Sequence, residues 1–429
     1  MSREPISFRV LRAWARSAIA VFYRSVEVTR AAPIPPGRPT IFAANHQSAL
    51  GDVAVIVAVR PELPHFLAAS SWWKRAPARV LFQLGGVVPV YRNTDGRGTR
   101  ANMSTFAACH AALARGAQLC IFPEGEMHLG EGLLPLKTGA ARIALGAVRD
   151  AGLHGVVVVP FGLIYEDMGR FRSDVEVRLG TPLEVDAWAD ADGTDHHAAV
   201  RAFTDALYEA LADATVAPLG ADAVVLDRAT AMALSDTDAS FAERNKLRRG
   251  LRRHHEENVA AVRDAVHEHA FHLHVLALAD GDALDAMSPA ARRRLDTELA
   301  VLSMPAAIGA VASAPMVLAV WALATRAPDE GWQATVKGVG GTFLLPLGWI
   351  GEWALLSKRM SRRRAAAVVA ASAVGGWATL AWHDRFRRLR RVRRVEELSR
   401  SRPDALRDAR KSRDELRAIV QRLVGGDLR

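Results

Sequence analysis

The residues best suited to chemistry in this 429-residue chain are His46 and Asp52, in the stretch AANHQSALGDVAV. An imidazole with one nitrogen bonded to a carboxylate has a fixed tautomer and a more basic second nitrogen, which suits it to take a proton from a hydroxyl. In an ideal helix, residues six apart lie about 240° apart around the axis, so the two side chains do not share a face. They meet only if the apolar run TIFAA (40–44) is a strand that ends in a loop carrying His46, and a helix starts within the motif. Gly51 would supply the backbone freedom for that turn. No Ser or Cys stands nearby in a nucleophile elbow. Direct attack by a substrate hydroxyl is therefore simpler than a covalent enzyme intermediate.

Three other segments carry residues that would suit a phosphorylated substrate. GGVVPVYR ends an apolar strand with Arg92, a residue type made for bidentate phosphate contacts. IFPEGEMHLGEGLLPLKTGAARIAL puts Pro123, Glu124 and Gly125 at the end of another strand, where ligands of α/β sheets bind. VVVVPFGLIYED puts Pro160 at the end of a third. Each alone is an ordinary strand exit, but the ordered set is not.

The elements that must position these residues alternate from 33 to about 217, as in an α/β domain. Strands are expected at 40–44, 65–70, 86–91, 118–122, 156–161 and 175–179, separated by helical stretches such as TRANMSTFAACHAALARG, with Gly116 as its C-cap. The continuous apolar runs imply a sheet covered on both faces. Cys109 and Cys120 have neither metal-type spacing nor partners for a disulfide framework, which fits a reducing compartment.

Beyond about 220 the chain turns helical and highly charged. His267 and Glu268 begin an H-E-x-x-H pattern, but Phe271 stands where the second histidine belongs, and no metal site is expected. Three apolar stretches follow, 299–325, 332–356 and 365–382; the first carries no charge and is long enough to cross ~30 Å of hydrocarbon. The clusters KRMSRRR (358–364) and RFRRLRRVRR (385–394) should both be cytoplasmic, which makes the third stretch a re-entrant or interfacial element, or one that pairs differently with the second. At the N-terminus, SFRVLRAWARSAIAVFYRS sets Arg9, Arg12 and Arg16 on one helical face and Leu11, Trp14, Ala18 and Phe22 on the other. That pattern suits a helix lying in a membrane interface with its arginines toward lipid phosphates, or a surface helix packed on the core. The net charge of +10 favours anionic partners, yet no nucleic-acid-binding signature accompanies it, so nucleic acid is not an expected partner.

Taken in order, N-H-x5-D, G-x-x-P-V-x-R, F-P-E-G and V-P-x-G resemble the phospholipid/glycerol acyltransferase family, over roughly residues 30–215. The five residues between His46 and Asp52 resemble the branch that includes fungal-type glycerol-3-phosphate acyltransferases. His128 after FPEG, LLPLKTGAARIAL, FRSDVEVRLGTPLEV, MPAAIGAVASAPM and ATVKG agree with that branch. The resemblance implies a mixed-sheet α/β acyltransferase domain flanked by helices, followed by a helical region and a C-terminal membrane-embedded helical part. The expected segments are an amphipathic membrane-associating helix over 1–29, the acyltransferase domain over 30–217, a charged helical region over 218–298, membrane helices over 299–382 and a basic helical tail over 383–429.

The implied activity is transfer of a fatty acyl group from acyl-CoA or acyl carrier protein, as substrate rather than cofactor, to the hydroxyl of glycerol 3-phosphate or 1-acylglycerol 3-phosphate. Neither a cofactor nor a metal is expected. By position, His46 would remove the acceptor's proton, Asp52 would orient His46, and Arg92 would hold the acceptor phosphate. Pro123, Glu124 and Gly125 would shape the acceptor site and Pro160 would line the acyl side, with Lys137 and Arg172 as further phosphate ligands. Glu126 and Met127 depart from the family pattern after FPEG, and a carboxylate beside a phosphate site leaves acceptor identity open. The expected location is a cytoplasmic membrane, with the acyltransferase domain facing the cytoplasm. Transfer to another lysolipid or hydroxylated acceptor, or phosphate and lipid binding without turnover, are the alternatives.

Overall fold

The computed structural model describes residues 6–34, 36–69, 87–90, 98–129, 132–190, 195–215, 222–253 and 255–425. The chain divides into two units, Met1–Ala217 with Ala327–Val339, and Pro218–Arg326 with Gly340–Arg429.

In the first unit the apolar runs form a mixed sheet. Its strands are β1 (Ser25–Arg30), β2 (Thr40–Ala44), β3 (His65–Ala69), β4 (Val88–Val90), β5 (Leu119–Ile121), β6 (Val157–Tyr165), β7 (Asp174–Leu179) and β8 (Leu183–Glu184). The order is β1-β7-β6-β2-β5-β3-β4, with β8 on β6. β2 lies at the centre, parallel to both β5 and β6, whereas β7 and β8 run antiparallel to β6.

Alternation along β2 explains why its run is apolar throughout. Phe42 and Ala44 enter one core with Ile19 and Phe22 of α1 (Ile6–Phe22) and Val55 and Ile56 of α2 (Gly51–Val59). Ile41 and Ala43 enter a second core with Leu113 of α3 (Gly98–Ala114), Leu145 of α4 (Gly139–Arg149) and Phe203 of α6 (His196–Thr215). The short α5 (Val185–Asp190) contributes Val185 to the same side. Both faces of the sheet are thus covered by helices.

Three local expectations change. Residues 25–29, read as the end of an N-terminal helix, belong to the edge strand β1, because the alternating SVEVTR pairs in parallel with β7. Arg12 and Arg16 donate to the carbonyls of Pro61 and Ala58 (the latter at 2.9 Å), at the negative end of α2, so that of the two readings of this helix the contacts fit packing on the core rather than arginines turned to lipid phosphates. Finally, β6 does not end at Pro160. β8 pairs with Val157 and Val158 and β7 with residues from Phe161 onward, so Pro160 sits where the strand changes partners and its missing N–H breaks no ladder bond.

The second unit is helical: α7 (Ala223–Ala233), α8 (Phe241–Arg253), α9 (His255–Leu276), α10 (Pro289–Ala324), α12 (Gly341–Leu356), α13 (Arg362–Ser401) and α14 (Pro403–Val424). α11 (Glu330–Thr335), between α10 and α12 in sequence, belongs to the first unit. Ser288 caps α10 by accepting from the Ala291 N–H, and Pro305 and Pro315 lie within the helix without ending it. Gly309 of α10 meets Gly375 of α13 backbone to backbone; a Cβ on Gly309 would come within 1.9 Å of the Gly375 carbonyl carbon. Thr379 Oγ1 adds a 2.8 Å bond to the Ala306 carbonyl. Small residues at a helix crossing suit packing in lipid, where close contact rather than water exclusion holds helices together.

Three helical stretches, Pro289–Ala324, Glu330–Leu356 and Arg362–Ser401, are long and apolar enough to cross a membrane. Large apolar side chains such as Met304, Val311, Trp321, Leu347 and Ile350 are exposed along them. The third apolar stretch, expected to be re-entrant or interfacial, is the first part of the unbroken 40-residue α13. Its alanine- and valine-rich sequence continues into the basic run as one helix, and no re-entrant turn interrupts it.

Candidate active site

The site is assembled where β2 ends. Ala44 pairs with Phe161, and Asn45 extends the ladder with its side chain: the Leu163 N–H donates to Asn45 Oδ1 (2.7 Å) and Asn45 Nδ2 donates to the Leu163 carbonyl (2.9 Å). The chain then turns through His46 and Ser48 into α2. Gly51 is needed for space rather than for an unusual φ, because a Cβ there would lie 2.4 Å from Ser48 Oγ.

Asp52, in the first turn of α2, is fully buried and reaches back into the turn. Its Oδ2 accepts from the Gln47 N–H (2.8 Å), the Ser48 N–H (2.8 Å) and His46 Nδ1 (2.9 Å), while Oδ1 accepts from the Tyr165 hydroxyl (2.6 Å). Burial, then the Asp52 charge, pushes the Tyr165 hydroxyl well above its ordinary range, so it remains a donor. A carboxylate only accepts, so His46 Nδ1 carries a proton, and in the neutral ring Nε2 is the nitrogen with the lone pair. The helix N-terminus adds a favourable field for the buried charge.

The FPEG loop, following β5, holds the histidine from the other side. Glu124 Oε1 accepts the His46 N–H (2.9 Å), and the His128 N–H donates to the His46 carbonyl (2.9 Å). Both backbone groups of His46 are thereby fixed. Glu124 Oε2 accepts the Leu134 N–H (3.0 Å), so both carboxylate oxygens bond backbone. Burial raises its pKa, and the two N–H bonds oppose that rise. The Phe122 ring stacks on the imidazole at 4.1 Å, with the planes 20° apart. A ring so held, with its side chain one-fifth exposed, can take a proton at Nε2 with little reorganisation.

Gly125 adopts φ +77°, and a Cβ there would meet Lys137 Cγ at 3.1 Å. The exposed Lys137 therefore crosses directly over Gly125, and its backbone N–H bonds the Pro123 carbonyl (2.8 Å). Pro123 is buried at the start of this turn, and Glu126 is exposed.

Not every residue singled out in the sequence gathers around His46. Arg92 lies outside the described residues. Arg172, at φ 62°, donates from Nη1 to the carbonyls of Ala20 and Tyr23 (3.0 Å each) and from its N–H to Phe22 (2.7 Å). Its guanidinium thus buckles the end of α1 to the loop before β7. Pro160 is buried within β6 with its ring against Gly180.

Tyr165, by contrast, carries no signal of a role in the sequence. It stands in VVVVPFGLIYED as one more strand residue, and only the pairing of β6 with β2 brings its hydroxyl to Asp52. Asn45 was legible as a neighbour of His46, but its bridging role was not.

Residues 25–164 match the acyltransferase family model. Over 85 residues the chain is 41% identical to glycerol-3-phosphate O-acyltransferase 2 of Saccharomyces cerevisiae, covering 20% of this chain and 11% of that protein. Over 156 residues it is 30% identical to a 1-acyl-sn-glycerol-3-phosphate acyltransferase of Chlamydomonas reinhardtii, covering 35% and 42%. The match thus spans less than two thirds of either relative. The solved structure of the 1-acyl-sn-glycerophosphate acyltransferase of Thermotoga maritima aligns with a TM-score of 0.34 at 20% identity, covering 47% of this chain and 76% of that one.

Proposed function

We propose, from the match of residues 25–164 to the acyltransferase family model, that the chain is a membrane-bound O-acyltransferase acting on glycerol 3-phosphate or 1-acylglycerol 3-phosphate. The observation that carries this is the 2.9 Å contact between His46 Nδ1 and the buried Asp52 carboxylate, on a histidine whose backbone is clamped from both sides.

In the proposed reaction, His46 Nε2 takes the acceptor's hydroxyl proton as that oxygen attacks the carbonyl carbon of acyl-CoA or acyl carrier protein. The C–S bond breaks, and the imidazolium returns the proton to the leaving thiolate. Asp52 orients the ring and stabilises the imidazolium, while Tyr165 holds the carboxylate. Arg92 and Lys137 bind the acceptor phosphate; the nearness of Lys137 to Gly125 supports its part. Pro123 and Gly125 shape the acceptor side, and Glu124 contributes by holding the turn. Pro160 and Arg172 act at a distance, as scaffold for β6 and for the end of α1. The membrane helices keep the enzyme where long-chain products partition, with the acyltransferase domain on the cytoplasmic side.

The test is acyl transfer by purified, detergent-solubilised protein from labelled palmitoyl-CoA, then from acyl carrier protein. Glycerol 3-phosphate, dihydroxyacetone phosphate and 1-acylglycerol 3-phosphate are offered separately, with His46→Ala as control. Turnover of one acceptor that is lost in His46→Ala is the expected result. Equal turnover in His46→Ala would remove the base assignment.

A further inference from the structure

Residues 327–339 follow the membrane-length helix Pro289–Ala324 and include the first turns of the next such stretch, Glu330–Leu356, yet they pack within the acyltransferase unit, against the turn that carries His46. Asp329 caps α11 by accepting from the Trp332 N–H (2.8 Å). The Gly331 carbonyl accepts from Ser48 Oγ (3.3 Å), and Thr335 Oγ1 accepts from the Leu50 N–H (3.2 Å) and lies 3.4 Å from Ser48 Oγ. Ser48 and Thr335 are both buried. A Cβ on Gly331 would come within 2.8 Å of both the Gln47 carbonyl oxygen and Met127 Sδ, so this strap touches the histidine turn and the residues after FPEG at one point. Past α11 the helix widens to a π-turn over Val336–Gly340, where Lys337 Nζ donates to the Gly169 carbonyl (3.1 Å) and Val339 packs on the core shared by α1 and α2.

The hydrogen bonds of Gly331 and Thr335 fall on, or beside, the backbone that holds Asp52. The Gln47 and Ser48 N–H groups bond the Asp52 carboxylate, and Leu50, which bonds Thr335, is the residue before α2. The strap thus adds, from outside the turn, to the bonds that Asp52 makes within it, and reaches Leu50 and the Ser48 hydroxyl, which those bonds leave to other partners. We propose that the strap 327–339 is a working part of the acyltransferase site, with Thr335 as a positioning residue that, through Leu50 and Ser48, holds the turn on which His46 and Asp52 meet. The proposal rests on the acyltransferase reading of that turn.

The experiment uses the full chain in detergent micelles and compares wild type, Thr335→Val, Thr335→Ser, Gly331→Ala and His46→Ala. Two quantities are measured: hydrogen exchange of the peptide spanning 45–52, and kcat and acceptor KM. Thr335→Val removes the acceptor of the Leu50 N–H at nearly constant volume, and exchange there is expected to quicken about fivefold. kcat is expected to fall about tenfold with KM within about twofold, since the lost quantity is alignment rather than acceptor binding. Thr335→Ser restores the hydroxyl and is expected to restore both exchange and kcat, which a general packing defect would not. Gly331→Ala is expected to lower kcat at least as far.

Unchanged exchange in Thr335→Val would overturn the contact, and faster exchange with wild-type kcat would overturn the positioning role. Either outcome leaves the function intact if His46→Ala is inactive. If His46→Ala turns over like wild type, it is the base assignment that fails, and the positioning role with it.

Discussion

Replacing Asp52 with asparagine separates charge from geometry at the centre of the site. An amide whose oxygen takes the place of Oδ2 can still accept from His46 Nδ1, Gln47 N–H and Ser48 N–H. Its NH2 group then faces the Tyr165 oxygen, and a phenol hydroxyl can turn from donating to accepting. The turn and the Nδ1–H tautomer therefore survive, and only the charge is lost. Opposite unit charges 2.9 Å apart attract by about 6 kcal/mol at an effective dielectric of about 20. If the imidazolium is about half formed in the transition state, about 3 kcal/mol of stabilisation disappears, or ~10²-fold in kcat. Steady-state kinetics on purified Asp52→Asn should show that loss, with acceptor KM within about twofold and an unchanged circular dichroism spectrum. A kcat within about threefold of wild type, in protein with that spectrum, would refute imidazolium stabilisation by Asp52. Combining it with Tyr165→Phe should cost more than the product of the single losses, because nothing then orients the amide.

Three other outcomes follow from the same contacts. Tyr165→Phe leaves Asp52 Oδ1 without its 2.6 Å donor and should lower stability by about 1.5–3 kcal/mol, read from thermal melts in detergent. Glu124→Gln leaves one of two buried N–H groups, of His46 or Leu134, facing an NH2 group; a loss of about 1–3 kcal/mol and a reduced kcat are expected from melts and kinetics together. In the helical unit, His269 is buried, with Nδ1 2.8 Å from Ser412 Oγ; burial first, and then Arg413, pulls its pKa down from 6.5 to about 4. The folded state therefore favours the neutral ring: its stabilisation is complete above pH 6.5 and is lost progressively as pH falls toward 4, by about 3 kcal/mol in all. Melts from pH 7 to 4 should show that slope, and His269→Leu should flatten it.

The local character of the chain was readable from residue types and spacing. Apolar runs marked strands at 40–44, 65–70 and 156–161, where β2, β3 and the first half of β6 stand, because a buried strand covered on both faces must be apolar throughout. The three long apolar stretches followed from composition alone, as length against hydrocarbon thickness is a one-dimensional property. His46 and Asp52 could be paired because both lie in one short turn, where few backbone paths bring them together. Pro160 misled, since a proline usually ends a strand; here β6 changes partners beside it, and partner identity is not written locally. Arg172 reads in the sequence as a phosphate ligand, because a sequence does not reveal which carbonyls an arginine will meet.

What the sequence determined by itself was the set of chemical groups and the periodicities that place them on strands, turns or membrane-length helices. What only the tertiary structure decided was which distant groups complete the turn. Tyr165 reaches Asp52 across the β2–β6 pairing, Glu124 and His128 clamp the His46 backbone from the end of β5, and Thr335 arrives from nearly three hundred residues further along the chain. The physical reason is that a hydrogen bond needs its partners within about 3 Å. Spacing along the chain sets that distance only for near neighbours; for the rest it is set by sheet register and by the packing of one segment over another.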